Sequence, residues 1–361
     1  MNQELLTRSE CNALRGLAII GIFLHNFCHW LGPVVKENEY QFIQGNVDWL
    51  SRVVASPDAL LPVHLLSFFG HYGVPVFLFL SAYGLERKYG QLQQAGPRGP
   101  AFVRYHFLKL FKMMIVGFIC FTIVDQLTRG SWHYTLLQVV AQLGMFNNLL
   151  PDPDRNIWPG PYWFFGLMLQ LYIVYRLLLF RRHWGYTVGL MAGCVGVQLL
   201  MDPAGETINW YRYNFMGGML PFGFGLLAAR FGGRIRQERM SLTTLLAFLL
   251  LTSAMVVAFS YSFLGWAFAP VAVCAASAAL VKLIVRMPFP PLSHGLMYVL
   301  EWMGAVSAAL FVIHPVLRKI FIPVSRQGDV YTGLLLYVIA SVGAAWLIRE
   351  LMNRIPNPKM K

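Results

Sequence analysis

Apolar runs of about twenty residues recur along the whole chain, separated by short polar stretches. A helix rises 1.5 Å per residue, so a run of that length crosses the roughly 30 Å hydrocarbon core of a bilayer. Ten such runs are read, at about 12–32, 60–84, 105–125, 161–180, 184–201, 213–231, 241–259, 264–285, 296–317 and 331–351. Leu, Ile, Phe and Ala dominate them without strand-like alternation, which excludes a transmembrane β-barrel. Charged residues make up only 12% of the chain, about half of what a soluble domain carries. The mean hydropathy is +0.54. A soluble globular domain, a disordered chain and a disulfide miniprotein are all excluded. The sequence predicts an all-α polytopic transmembrane helical bundle in a single domain over residues 1–361. The first run is followed by bulky residues and reads as a retained span, not a cleaved signal.

The segment 135–150 is too short and too polar for an ordinary span, with Gln138, Gln142, Asn147 and Asn148 inside it. Charge decides its placement. With ten spans and a cytoplasmic N-terminus, 21 of the 29 Lys and Arg lie on the cytoplasmic side. An eleventh span at 135–150 would leave 13 there and 16 outside. The positive-inside rule selects the first arrangement, with both termini cytoplasmic and 135–150 a re-entrant or interfacial helix on the outer side. The net charge of +13 then reads as orientation, and no nucleic-acid motif accompanies it.

Polar groups at depth in a span cost free energy and face a cavity or a partner. The first span carries two, Arg15 and His25. Ten residues place them about 15 Å apart along the axis. That separation suits a long donor with an anionic end at the cytoplasmic face and a reactive end inside the membrane. A neutral imidazole at His25 can take a proton from a hydroxyl. At ten residues the two side chains lie about 80° apart around the helix, whereas His29, at fourteen, lies about 40° from Arg15 and is the fallback base. Arg15 is equally readable as a snorkelling anchor. His25, His29, His64, His71 and His314 all fall in the outer half, which suggests a polar cavity open to that side. No carboxylate completes a familiar metal-ligand spacing, and the five cysteines are scattered singly, so neither a metal nor a bound cofactor is expected. Trp158, Tyr162, Trp163, Trp210, Tyr211 and Tyr213 crowd the outer boundary, as a sugar platform or as an interfacial belt.

Six segments, in order, resemble the acyltransferase family 3 of multispanning bacterial O-acyltransferases. Leu14-Arg15-Gly16-Leu17-Ala18 with His25 resembles its first-span signature. Gly73-Val74-Pro75-Val76-Phe77-Leu78-Phe79-Leu80-Ser81-Ala82-Tyr83 resembles its second span, with Ala82 where Gly is usual. Lys109-Leu110-Phe111-Lys112 resembles a paired basic motif, with Lys in place of both arginines. Pro161-Tyr162-Trp163-Phe164-Phe165, Leu220 to Arg230, and Ser307 to Pro315 resemble three later segments. The resemblance implies transfer of an acyl group, often acetyl from acetyl-CoA as co-substrate, to a hydroxyl of an extracytoplasmic glycan or related envelope molecule at a bacterial inner membrane. It implies His25 as the catalytic histidine and Arg15 as a functional arginine. Lys109 and Lys112 are expected to meet the donor's phosphates as point charges, with His71 and Trp163 as further substrate-binding candidates. The alternative is a transporter or flippase for a lipid-linked saccharide, which ten spans and a polar cavity would also fit.

Overall fold

A computed structural model describes residues 4–90, 96–234 and 240–360. Within them the chain forms α1 (Arg8–Cys28), α2 (Gln44–Ala55), α3 (Leu61–Phe69), α4 (Gly73–Leu85), α5 (Gly99–Leu127), α6 (Leu136–Gly144), α7 (Pro153–Asn156), α8 (Trp163–Val174), α9 (Trp184–Leu199), α10 (Glu206–Tyr213), α11 (Phe215–Phe231), α12 (Leu242–Phe259), α13 (Phe263–Val285), α14 (Pro290–Gln327) and α15 (Val330–Arg354). No strand occurs among the described residues. Among the described residues nine helical runs are long and apolar enough to cross a membrane. They match nine of the ten expected spans. The tenth is α9, whose 16 residues extend about 24 Å. It nevertheless runs the depth of the bundle. Its start lies by Arg230, which donates to the carbonyls of Arg182 and Leu179. Its end lies by Tyr211 and Arg212, which donate to Cys194 O and Gln198 Oε1.

Ten passes bring both termini to one end of the bundle, the terminal face; the opposite end is the loop face. On the terminal face Glu10 pairs with Lys282 at 2.7 Å and Glu86 with Arg230 at 2.7 Å. At the C-terminal end, Asn357 accepts from Lys112 Nζ. Helix α1 is the axis. Thr7 and Glu10 close a reciprocal cap at its start, satisfying two backbone N–H groups. It packs parallel to α14, from Ser9 against Glu301 to Asn26 against Arg318. It packs antiparallel to the α3–α4 run, and two glycines permit that approach. A Cβ on Gly70 would lie 2.6 Å from His25 Cβ and 2.7 Å from Gly21 O, and one on Gly73 would collide with Ala18 O. Between them residues 70–72 form a 3-10 turn, so the second span tightens beside α1 while staying helical from Leu61 to Gly90.

Segment 135–150 does not cross. Helix α6, reciprocally capped by Thr135 and Gln138, leaves Leu136, Leu137 and Val140 exposed on one side. The chain then dips into the bundle. There Asn148 Nδ2 donates to Trp163 O at 2.9 Å and Tyr213 O at 2.5 Å, and accepts at its carbonyl from Asn214. Backbone away from helices is tolerated at depth when its polar groups are satisfied in this way.

Candidate functional site

Sequence order alone would leave the 29–43 connection in solvent, but here it folds back over the loop-face end of α1. Lys36 Nζ donates to the carbonyls of His29 and Leu31, placing a cation where unpaired helix carbonyls point. Asn38 exchanges hydrogen bonds with the backbone of Ile43, and Trp266 Nε1 donates to Asn38 O at 2.6 Å. Arg212 donates twice to Glu39 O at 3.2 Å. These ties carry Glu37 and Glu39 onto the histidines of α1.

Three histidines cluster there. The ring of His25 lies 4.7 Å from that of His29 and 5.6 Å from that of His71, centre to centre. His25 is 2% exposed; its Nδ1 meets Ser67 O at 2.7 Å and its Nε2 faces Glu39 Oε2 at 3.9 Å. His29 Nδ1 meets Glu37 Oε1 at 2.9 Å, while its Nε2 is buried without a hydrogen-bond partner. His71 Nδ1 is likewise buried and unpartnered. The two carboxylates diverge. Burial opposes ionisation of Glu37, but electrostatic attraction to the His29 imidazole and the hydrogen bond to it outweigh burial and hold the group well below the usual carboxylate range. Burial pushes Glu39 up to about 8, reinforced by the charge of Glu37. Ligand atoms of His25, His29 and Glu37 all lie within 4.8 Å of one another, close enough to share a divalent cation, a grouping the linear spacing did not reveal. The other two outer histidines stand apart: His64 Nδ1 accepts from Val35 N, and His314 Nδ1 meets Leu310 O.

Two cavities approach this cluster from opposite ends. The loop-face cavity, about 310 Å³, is lined by Asn26, His29, Trp30, Glu37, Glu39, Tyr40, Asp154, Trp158, Trp163, Tyr213 and Arg318 among others. Its aromatic wall is ordered: Tyr40 stacks on Tyr213 at 4.0 Å and meets Trp163 edge-on, and Tyr213 donates to Asp154 at 2.6 Å. The other cavity, about 320 Å³, is lined by Arg15, Ser81, His106, Lys109, Tyr172 and Ser307 together with apolar side chains. Among the described residues lining it there is no carboxylate. The cavities share three lining residues, Ile22, Phe164 and Phe311, and the two phenylalanine rings lie 5.3 Å apart. An apolar waist therefore separates a basic chamber from one bearing three carboxylates.

Of the residues singled out from sequence, Arg15 and Lys109 meet in the basic cavity. Lys112 is not among its lining residues; it turns to Asn357 Oδ1 at 2.8 Å. Trp163 forms part of the loop-face wall. His71 lines a small neighbouring cavity of about 40 Å³ with Glu39, Trp163 and Arg212. His25 lines neither large cavity and sits behind His29. Sequence reading missed Glu37, Glu39 and Asp154, three acids of the outer connections. It also missed His106, both of whose ring nitrogens are buried and unpartnered. His106 stands three residues before Lys109, one turn away on the same helix face, and that spacing was its only signal.

The model of a family described as an acyltransferase domain matches residues 8–350, nearly the whole chain. Neither a curated protein nor a solved structure matches it.

Proposed function

The chain belongs to that acyltransferase domain family, and from this premise we propose that it moves an acetyl group from acetyl-CoA to a hydroxyl of an extracytoplasmic glycan or related envelope molecule. The observation that carries the reading is the pair of cavities joined at one waist. The chamber with Arg15 and Lys109 and no lining carboxylate suits the phosphates of an acyl-CoA donor. The loop-face chamber offers aromatic faces, carboxylates and the His29 imidazole, which suit a polyhydroxyl acceptor. The waist of Ile22, Phe164 and Phe311 is apolar and fits a short acyl group passing between them. The histidine cluster supplies the base at the acceptor side of the waist; the resemblance points to His25 within it. The lysine and arginine excess on the terminal face supports cytoplasmic termini in a bacterial inner membrane, with the donor drawn from the cytoplasm.

A flippase for a lipid-linked saccharide would need one lining chemistry that greets the same cargo at both ends. Two differently lined chambers, one with Arg15 and Lys109 and no carboxylate and the other with aromatic rings and three carboxyl groups, support transfer between different molecules instead. The test is mass spectrometry of envelope glycans from cells with and without the protein. Loss of one acetyl mass from a defined glycan is the expected result, and Arg15→Ala or Lys109→Ala should raise the KM for acetyl-CoA about tenfold or more in isolated membranes. Unaltered glycan masses together with failure of a saccharide to cross the membrane would favour the transport reading.

A further inference from the structure

Residues 15, 22, 26 and 29 of α1 share one face. Arg15 lines the basic cavity, Ile22 lines both, and Asn26 and His29 line the loop-face cavity. His25 points off that face, toward Ser67 and the second span, where Gly70 packs against its Cβ. The helical path from donor charge to acceptor cavity thus runs from Arg15 to His29 and bypasses His25.

His29 has the arrangement a general base requires. Its Nδ1 lies 2.9 Å from Glu37 Oε1. A carboxylate at that distance fixes Nδ1 as the N–H donor and leaves the lone pair on Nε2. Nε2 is buried and has no hydrogen-bond partner among the described residues, while His29 lines the cavity. A buried acceptor left open in this way is completed by a hydroxyl donor. The backbone of Glu37 is held by Asn46 Nδ2, which donates to its main-chain carbonyl at 3.0 Å. His25 lines neither large cavity: its Nδ1 is held by the Ser67 carbonyl and its Nε2 faces Glu39 at 3.9 Å.

We propose that His29, oriented by Glu37, is the general base of acyl transfer, and that His25 is a positioning residue behind it. This rests on the acyltransfer reading above. His29 Nε2 removes the proton from the acceptor hydroxyl as that oxygen bonds to the thioester carbonyl carbon. The carbon–sulfur bond then breaks, and the departing thiolate takes the proton from His29 Nε2. The acceptor leaves as an ester and the donor as free CoA thiol. Glu37 remains a carboxylate throughout, beside the imidazolium that forms and decays.

The test uses the full-length protein in lipid nanodiscs with acetyl-CoA and the acceptor glycan, and measures transfer and equilibrium acetyl-CoA binding separately. His29→Ala should lower kcat by about 10²–10⁴-fold while donor affinity stays within about twofold, and added imidazole should restore part of the rate. His29→Gln serves if the alanine variant does not fold. Glu37→Gln should lower kcat with KM unchanged, and Glu37→Asp should recover part of the loss. His25→Ala should give a loss that imidazole does not restore. The dyad is overturned if transfer survives in His29→Ala, if only His25→Ala responds to imidazole, or if the unaltered protein holds a stoichiometric divalent metal whose removal abolishes transfer. If the unaltered protein neither binds acetyl-CoA nor acylates, the acyltransfer reading falls and the dyad with it.

Discussion

Glu37 and Glu39 are two residues apart, yet their environments drive them in opposite directions. Glu37 bonds His29 and stays ionised; Glu39 is buried among His25, Glu37, Tyr40 and Arg212 and is pushed up to about 8. The folded state therefore binds a proton on Glu39 that the unfolded chain releases at its ordinary value of 4.5. The sign follows: where the native state binds more protons, stability falls as pH rises. The contribution of Glu39 is fully present below its unfolded pKa and lost by the time pH passes about 8. Thermal unfolding of the detergent-solubilised protein should show a melting temperature that declines between about pH 5 and pH 9, and Glu39→Gln should flatten that decline. An unchanged slope would place Glu39 outside the titrating core. Neither acid was legible as a site residue. In sequence both belong to an outer loop, and what brings them to the histidines is the folding-back enforced by Asn38, Lys36 and Arg212. By contrast the shared face of Arg15 and His29 was legible, because His29 caps the helix that carries Arg15 and its periodicity fixes both directions.

Spans were read from apolar length, and that signal is strong because the bilayer imposes it. It fails where tertiary contact overrides regular geometry. The second span tightens to a 3-10 turn at residues 70–72, which hydropathy cannot register, since Gly70 and Gly73 suit a regular apolar helix equally well. The two glycines matter, because they let the span lie close on α1, where Ser67 O meets His25 Nδ1. Gly70→Ala should cost about 1–3 kcal/mol of stability, as the new methyl would meet His25 Cβ and Gly21 O. It should also lower transfer activity by displacing α3 from the histidine cluster. Differential scanning fluorimetry and the transfer assay on the same preparation check both parts. Segment 135–150 was read correctly as non-spanning from charge balance alone, but its descent through Asn148 into contact with Trp163 and Tyr213 depends on hydrogen bonds that no periodicity announces.

The bundle as a unit sets two chambers of different lining back to back. Their existence was not legible, since Arg15 and Lys109 lie on different helices, α1 and α5, and the carboxylates opposite come from the 29–43 loop and α7. What the sequence did carry was the partition of charge, with most Lys and Arg on the side of the termini and acids concentrated in outer connections. Folding converts that bias into a basic chamber and one that mixes carboxyl groups with Arg318, His29 and aromatic rings, meeting at Ile22, Phe164 and Phe311. The central claim is that the donor enters from the face bearing the termini and the acceptor from the other. Sealed proteoliposomes of known protein orientation test it directly, with labelled acetyl-CoA supplied on one side and a glycan acceptor on the other. The account predicts labelled glycan only when acetyl-CoA is on the side of the termini. Labelling when donor and acceptor are both confined to the loop-face side, or passage of unmodified saccharide without any requirement for acetyl-CoA, would contradict it.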